Sequence, residues 1–338
     1  MAWYTESDQT GRPYRERYLA QLMEFLQAEE TQSAANNQET GFLDEKEPAR
    51  LRYRRMLGYP LTLPRPTAPP PLRMAFAAED ELGKIYRVWI ETLPKLETYG
   101  LYFLPHGSGP FPLVLSQHGG LGTPELCSGL HDSANYNNMS RRVHARGIAV
   151  LAPQLLIWGE QYGPAFDRGA VNYRLRQLGG TITSLELWQL QRSLDAFLQL
   201  PEIDPQRVGM VGLSYGGYYT QFMAALDPRI RVALNSCYLT TPRAVVDRVT
   251  SWIKPDPSFG FAQWVELIAP RAYYMETGET DDIIPPRDAP PLVMAAYQVY
   301  QRLGIPERFA YKNHPGWHEF DPADDGIEFL VKYLMNND

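Results

Sequence analysis

Cysteine is nearly missing from this chain: only Cys127 and Cys237 occur in 338 residues, and neither stands at a metal-ligand spacing such as C-x-x-C. That argues against a disulfide framework or a cysteine-built metal site, so both thiols are expected to be small buried hydrophobes in a reducing, cytoplasmic setting. Long apolar runs are missing too. No stretch approaches the roughly 18 residues a bilayer span needs, and no membrane partner is expected. The opening Met1 to Leu22 has no basic flank followed by an uninterrupted apolar segment, so it does not read as a secretory signal. A basic excess is absent as well: the net charge is -7, which removes the electrostatic footprint of a nucleic-acid partner.

What is present is a 44% hydrophobic composition, enough for one large core with a smaller attachment. Apolar residues Tyr18, Leu19, Leu22, Phe25 and Leu26 recur near helical spacing and predict an amphipathic helix over 13–28. A polar stretch and the proline-rich "YPLTLPRPTAPPPL", Tyr59 to Leu72, follow, and proline's missing donor keeps that segment out of helices and central strands. Residues 1–80 are therefore expected as an extension packed on a main body of residues 81–338. In that body "KIYRVWIE" and "TYGLYFLP" read as paired edge strands. "FPLVLSQ", "IAVLAP", "RVGMVG", "RVALNS", "RAYYMETG" and "RFAYKN" read as short buried strands. Helical patterns are expected at 134–147, 184–200, 215–225, 291–303 and in the closing "ADDGIEFLVKYLMN". Such alternation predicts an α/β architecture, a mostly parallel sheet covered on both faces, with ligands beyond the carboxyl ends of the strands. The aromatic-rich segment 237–270 is expected either as a small helical cap over the site or as a helical pair packed on the scaffold.

"GLSYG", Gly212 to Gly216, has the spacing of a nucleophile elbow between a strand and a helix. The glycines allow close backbone approach, and Tyr215 offers its N–H at the positive end of the helix. A serine hydroxyl needs a base, and chain order selects the loop after the last strand, which carries His314 and His318, with His318 favoured. An acid after a late strand can orient that histidine; Asp281, Asp282 and Asp288 are the candidates. The glycine-rich "HGGLG" after the first buried strand offers a second oxyanion amide, most simply that of Gly120, with His118 ordering the loop. His118, Trp158, Glu160, Trp252, Trp264 and Trp317 are candidate substrate contacts, although aromatic residues serve ordinary packing equally well. The glycines of "RVGMVGLSYGG" fall at 209, 212, 216 and 217, which is not a dinucleotide fingerprint.

Together His118-Gly119-Gly120, "DPQRVGMVGLSYGG", "GETDDIIP" and His318 resemble the α/β-hydrolase superfamily. They are most similar to bacterial esterases of the dienelactone hydrolase, acetyl xylan esterase and prolyl oligopeptidase catalytic-domain type, over Leu96 to Met335. The resemblance implies Ser214 as nucleophile, His318 as base, Asp281 rather than Asp282 as acid, and Tyr215 with Gly120 as the oxyanion hole. It also implies hydrolysis of a small-molecule carboxylic ester through an acyl-enzyme, with neither metal nor cofactor. A noncatalytic binding protein, a peptidase and an acyltransferase or lyase on the same scaffold are the alternatives. Self-association into a homo-oligomer is compatible with the sequence.

Overall fold

Every apolar run of the main body becomes a strand of one sheet in a computed structural model of the chain, which describes residues 4, 7, 9–38, 45–239 and 260–335. The strands are β1 (Leu72–Glu79), β2 (Gly83–Leu93), β3 (Leu96–Pro105), β4 (Phe111–Gln117), β5 (Ala149–Pro153), β6 (Ile203–Leu213), β7 (Val232–Ser236), β8 (Ala272–Gly278) and β9 (Phe309–His314). The helices are α1 (Arg12–Gln38), α2 (Lys46–Leu57), α3 (Pro124–Cys127), α4 (Met139–His144), α5 (Arg168–Gln177), α6 (Ile182–Phe197), α7 (Tyr215–Leu226), α8 (Phe261–Ile268), α9 (Ala289–Arg302) and α10 (Asp325–Met335).

Among the described residues the sheet has nine strands in the order β1-β2-β3-β5-β4-β6-β7-β8-β9. The first three form an antiparallel meander that joins β5 antiparallel, and from β5 to β9 every pairing is parallel. The central strands read as unbroken apolar runs because both of their faces are covered; β5 and β7 are buried at every position. The chain passes from β4 out to β5 and returns to place β6 on the other side of β4. The order therefore reverses between β4 and β6, which opens a crevice at their carboxyl ends.

By its contacts the chain divides into a small unit, Met1–Phe42 with Asp256–Gly260, and a large one, Leu43–Pro255 with Phe261–Asp338. Within the large unit α2 buries Tyr53 against Phe222 and Trp264. Arg50 on the same helix donates to the Ala225 and Leu267 carbonyls, which lie in the last turns of α7 and α8 and lack intrahelical partners. Strand β1, unforeseen because it follows the proline-rich stretch, adds an exposed edge.

The helix expected over 134–147 is interrupted. A single 3-10 turn, Ala134–Tyr136, is followed by Asn137 and Asn138 at φ of 48° and 57°, and α4 begins only at Met139. Asparagine tolerates the left-handed region that closes one turn and reorients the chain for the next. The segment 240–259 lies outside the described residues, and with it most of the expected cap and Trp252.

Candidate active site

At the end of β6 the chain must turn at once into α7. Ser214 makes that turn with φ 59° and ψ -121°, far from the regions an L residue prefers. Its N–H is bonded to the Ser236 carbonyl at 2.8 Å, and its own carbonyl accepts the Tyr218 N–H at 3.0 Å. The neighbouring positions have no room for side chains: a Cβ on Gly212 would lie 2.3 Å from the Gly216 carbonyl, and one on Gly217 2.3 Å from Asn235 Oδ1. Ser214 is thus held by backbone on both sides and remains partly exposed.

The loop after β4 lies against it. A Cβ on Gly119 would be 3.0 Å from the Ser214 Cβ, and one on Gly120 3.1 Å from the Tyr215 ring. The Gly119 carbonyl accepts His118 Nδ1–H at 2.9 Å and the Gly122 N–H at 3.2 Å. A trans peptide sets the following N–H opposite its carbonyl, so these two bonds also fix the direction of the Gly120 N–H. The Gly119 N–H is bonded to the Tyr136 hydroxyl at 2.8 Å. Gly120 N–H has no protein partner among the described residues, which leaves it as the donor this loop can offer.

On the other side, His318 Nδ1–H donates to Asp281 Oδ2 at 2.7 Å, with both groups buried. Asp281 Oδ1 accepts the Ile283 and Ile284 N–H groups at 2.9 and 2.8 Å, an arrangement that holds the carboxylate in one rotamer. Asp282 points into solvent-exposed surface. His314 is fully buried on β9, and neither of its ring nitrogens has a hydrogen-bond partner among the described residues. Between Ser214 and the His318–Asp281 pair runs Ser236-Cys237: Ser236 holds the Ser214 amide, while Cys237 Sγ lies within 4.8 Å of the Asp281 and His318 ligand atoms. This trio has the residue types of a cation site, yet its donors are committed to other bonds. Sγ donates to the Glu319 carbonyl at 3.2 Å, and burial pushes the thiol well above its ordinary range, away from the thiolate a metal requires.

A cleft of about 730 Å³ opens beside the loop after β4, lined by Tyr99, Glu125, Asp132, Gln154, Trp158 and Tyr162 among others. Leu121 forms an isolated parallel bridge with Trp158, which lines the cleft, and Gln154 Nε2 meets His118 Nε2 at 3.0 Å, so the cleft and the loop share one framework.

No family model matches the chain. It is 26% identical over 245 residues, 67% of its length and 80% of the relative's, to a curated protein of Bacillus subtilis (strain 168) named "Putative hydrolase YtaP". Among solved structures it superposes on a glucuronoyl esterase from Solibacter usitatus with a TM-score of 0.65 at 17% identity, covering 86% of this chain and 92% of that one. It also superposes on acetyl xylan esterase 1 from Thermoanaerobacterium sp. JW/SL YS485 with a TM-score of 0.58 at 17% identity, covering 88% and 96%. The fold is that of the α/β-hydrolases.

In this α/β-hydrolase fold the residues expected from sequence fall into three groups. Ser214, Tyr215 and Gly120 meet at the crevice between β4 and β6, and His318 and Asp281 are bonded to one another beside Ser236-Cys237. Trp158 lines the cleft, while Glu160 and Trp317 are exposed. Two of the candidate substrate contacts, His118 and Trp264, are buried. His118 is completely buried; its Nε2 accepts the Leu155 N–H at 3.1 Å while Nδ1 donates, and burial lowers its pKa to about 4, so it is a neutral strut of the loop. Trp264 sits in the core with its ring 4.6 Å from that of Phe222. Sequence reasoning passed over Tyr136, Asn135 and Gln154, whose partners lie far along the chain; no local pattern marks them.

Proposed function

We propose that this α/β-hydrolase is a serine carboxylic-ester hydrolase. The observation that carries the reading is the Ser214 backbone, whose left-handed φ is a cost of about 1–3 kcal/mol that a turn with no chemistry has no reason to keep. In the proposed cycle His318 Nε2 takes the Ser214 proton as Oγ attacks the ester carbonyl. Asp281 accepts the Nδ1–H and stabilises the imidazolium that forms. The amides of Gly120 and Tyr215 receive the developing oxyanion, where each donor is worth about 3 kcal/mol of transition-state stabilisation. Collapse expels the alcohol, protonated by His318, and water activated by the same imidazole releases the acid.

The cleft supports a carbohydrate ester as the substrate class. The flat faces of Trp158 and Tyr162 suit the C–H faces of a sugar, and Glu125, Asp132 and Gln154 suit its hydroxyls. With two carboxylates in its lining, a neutral acetylated sugar fits better than one bearing a free acid. The solved relatives named for glucuronoyl and acetyl xylan ester cleavage support the same class. A cytoplasmic setting remains part of the proposal, resting on the free, buried Cys127 and Cys237.

The test is hydrolysis of p-nitrophenyl acetate and of acetylated xylo-oligosaccharides by the parent, Ser214→Ala and Asp281→Asn. The parent should cleave both. Ser214→Ala should cleave neither while keeping its melting temperature, and Asp281→Asn should lose on the order of 10³-fold or more in kcat. Unchanged hydrolysis by Ser214→Ala would remove Ser214 as nucleophile. Cleavage of the simple ester alone would remove the carbohydrate assignment.

A further inference from the structure

Between α3 and α4 the turn Asn135-Tyr136-Asn137 touches both halves of the candidate site. Asn135 Nδ2 donates to the His318 carbonyl at 2.8 Å, and the Asn135 carbonyl accepts the Phe320 N–H at 2.9 Å. Asn137 Nδ2 donates to the Phe320 carbonyl at 2.6 Å and to Glu319 Oε2 at 3.0 Å. The residue between them, Tyr136, is buried and receives the Gly119 N–H. Its hydroxyl lies so close to Gly122 that a Cβ there would be 2.0 Å away. The turn itself is strained, with Ala134, Asn137 and Asn138 at φ of 45°, 48° and 57°. Strain of this kind persists only where the surroundings over-determine the conformation. Here the surroundings are the two loops the turn grips.

Resting on the esterase reading, we propose that Asn135, Tyr136 and Asn137 form a clamp that fixes the His318 loop against the oxyanion loop. All three are positioning residues: none is assigned a contact with substrate, and each acts through main-chain groups of residues that would. Tyr136 takes up the Gly119 N–H, which leaves Gly120 as the loop's oxyanion donor. Asn135 and Asn137 hold the carbonyls on either side of Glu319 and so set where the His318 ring stands. One rigid turn makes both contacts, so loosening either loop should be felt in the other.

Two variants test this, Asn135→Asp, which keeps the shape but cannot donate, and Tyr136→Phe, which removes only the hydroxyl. With p-nitrophenyl acetate each should lose about ten- to a hundredfold in kcat, the scale of a small misplacement of reacting groups, with KM changed less than about threefold. Amide hydrogen exchange, which needs no activity, is the second measurement. Each variant should exchange faster in both 118–122 and 316–320. Exchange confined to the loop that lost its bond, or kcat within twofold of the parent in both variants, would overturn the clamp. A parent that neither hydrolyses esters nor reacts with a fluorophosphonate at Ser214 would overturn the esterase reading; the exchange result would then still decide whether the two loops are coupled.

Discussion

A methyl group on Gly216 would stand 2.0 Å from the Gln117 carbonyl oxygen, closer than any real contact, and both atoms belong to backbone that cannot yield. This single position joins the end of β4 to the start of α7, and with them the loop after β4 to Ser214. Gly216→Ala should therefore cost about 3 kcal/mol or more, at the upper end of overpacking penalties, read as a lower urea midpoint with unchanged m-value. Wild-type stability in that variant would contradict the contact. At this scale the sequence was most legible where chemistry demands a fixed order. Ser214 and the histidine and acid candidates could be placed because strand, turn and helix patterns set each at a strand end in succession, and the structure joins two of those candidates, His318 and Asp281, by a hydrogen bond. Burial was not recoverable from residue type: the sequence left His118 and Trp264 open between substrate contact and a structural part, and both are buried in the fold.

Among the elements, α5 and α6 are tied to the loop after β5 by one buried ion pair. Arg168 Nη1 and Nη2 reach Glu186 Oε1 and Oε2 at 2.8 and 2.7 Å, and Tyr219 donates its hydroxyl to the same carboxylate. Leu156 closes the arrangement, its N–H on Glu186 and its carbonyl on Arg168. Burial works against the guanidinium charge, but Glu186 and Tyr219 outweigh it and hold the Arg168 pKa above its ordinary value. Arg168→Met should leave a fully buried carboxylate uncompensated and cost roughly 3–5 kcal/mol in urea unfolding. The double variant with Glu186→Leu should recover much of that loss. An additive double variant would show that the pair is not coupled. The helical pattern of α6 was plain in the sequence, whereas the expected helix over 134–147 failed because periodicity does not register Asn137 and Asn138 taking left-handed backbone. Strand β1 escaped for a related reason: an exposed edge strand needs no buried face, so it leaves no alternation to read.

For the whole molecule, buried His118 is one source of acid sensitivity, alongside His144, whose pKa burial also lowers. His118 has a folded pKa of about 4 against an ordinary 6.5, set first by burial, which the hydrogen bond to Gly119 opposes. The unfolded chain therefore binds the proton first, and stability is lost as the pH falls from 6.5 towards 4, by roughly 3 kcal/mol for this group. Protonation would also set an Nε2–H against the Leu155 N–H and remove that hydrogen bond. The melting temperature should fall across that interval, with a shallower slope in His118→Asn whatever that variant's absolute stability. Equal slopes would remove His118 as a source.

Periodicity, glycine placement and chain order predicted a mostly parallel α/β sheet with Ser214 at an elbow and acid and histidine candidates after late strands, because those features are local or ordered along the chain; the α/β-hydrolase fold and the choice of Asp281 came from the resemblance of whole motifs. Tertiary structure alone decided what holds them in register: the Asn135 to Asn137 turn, the buried His118 strut and the cleft beside Trp158. Each joins segments distant in sequence through a hydrogen bond or a shared wall, and such contacts leave no pattern in the neighbouring residues.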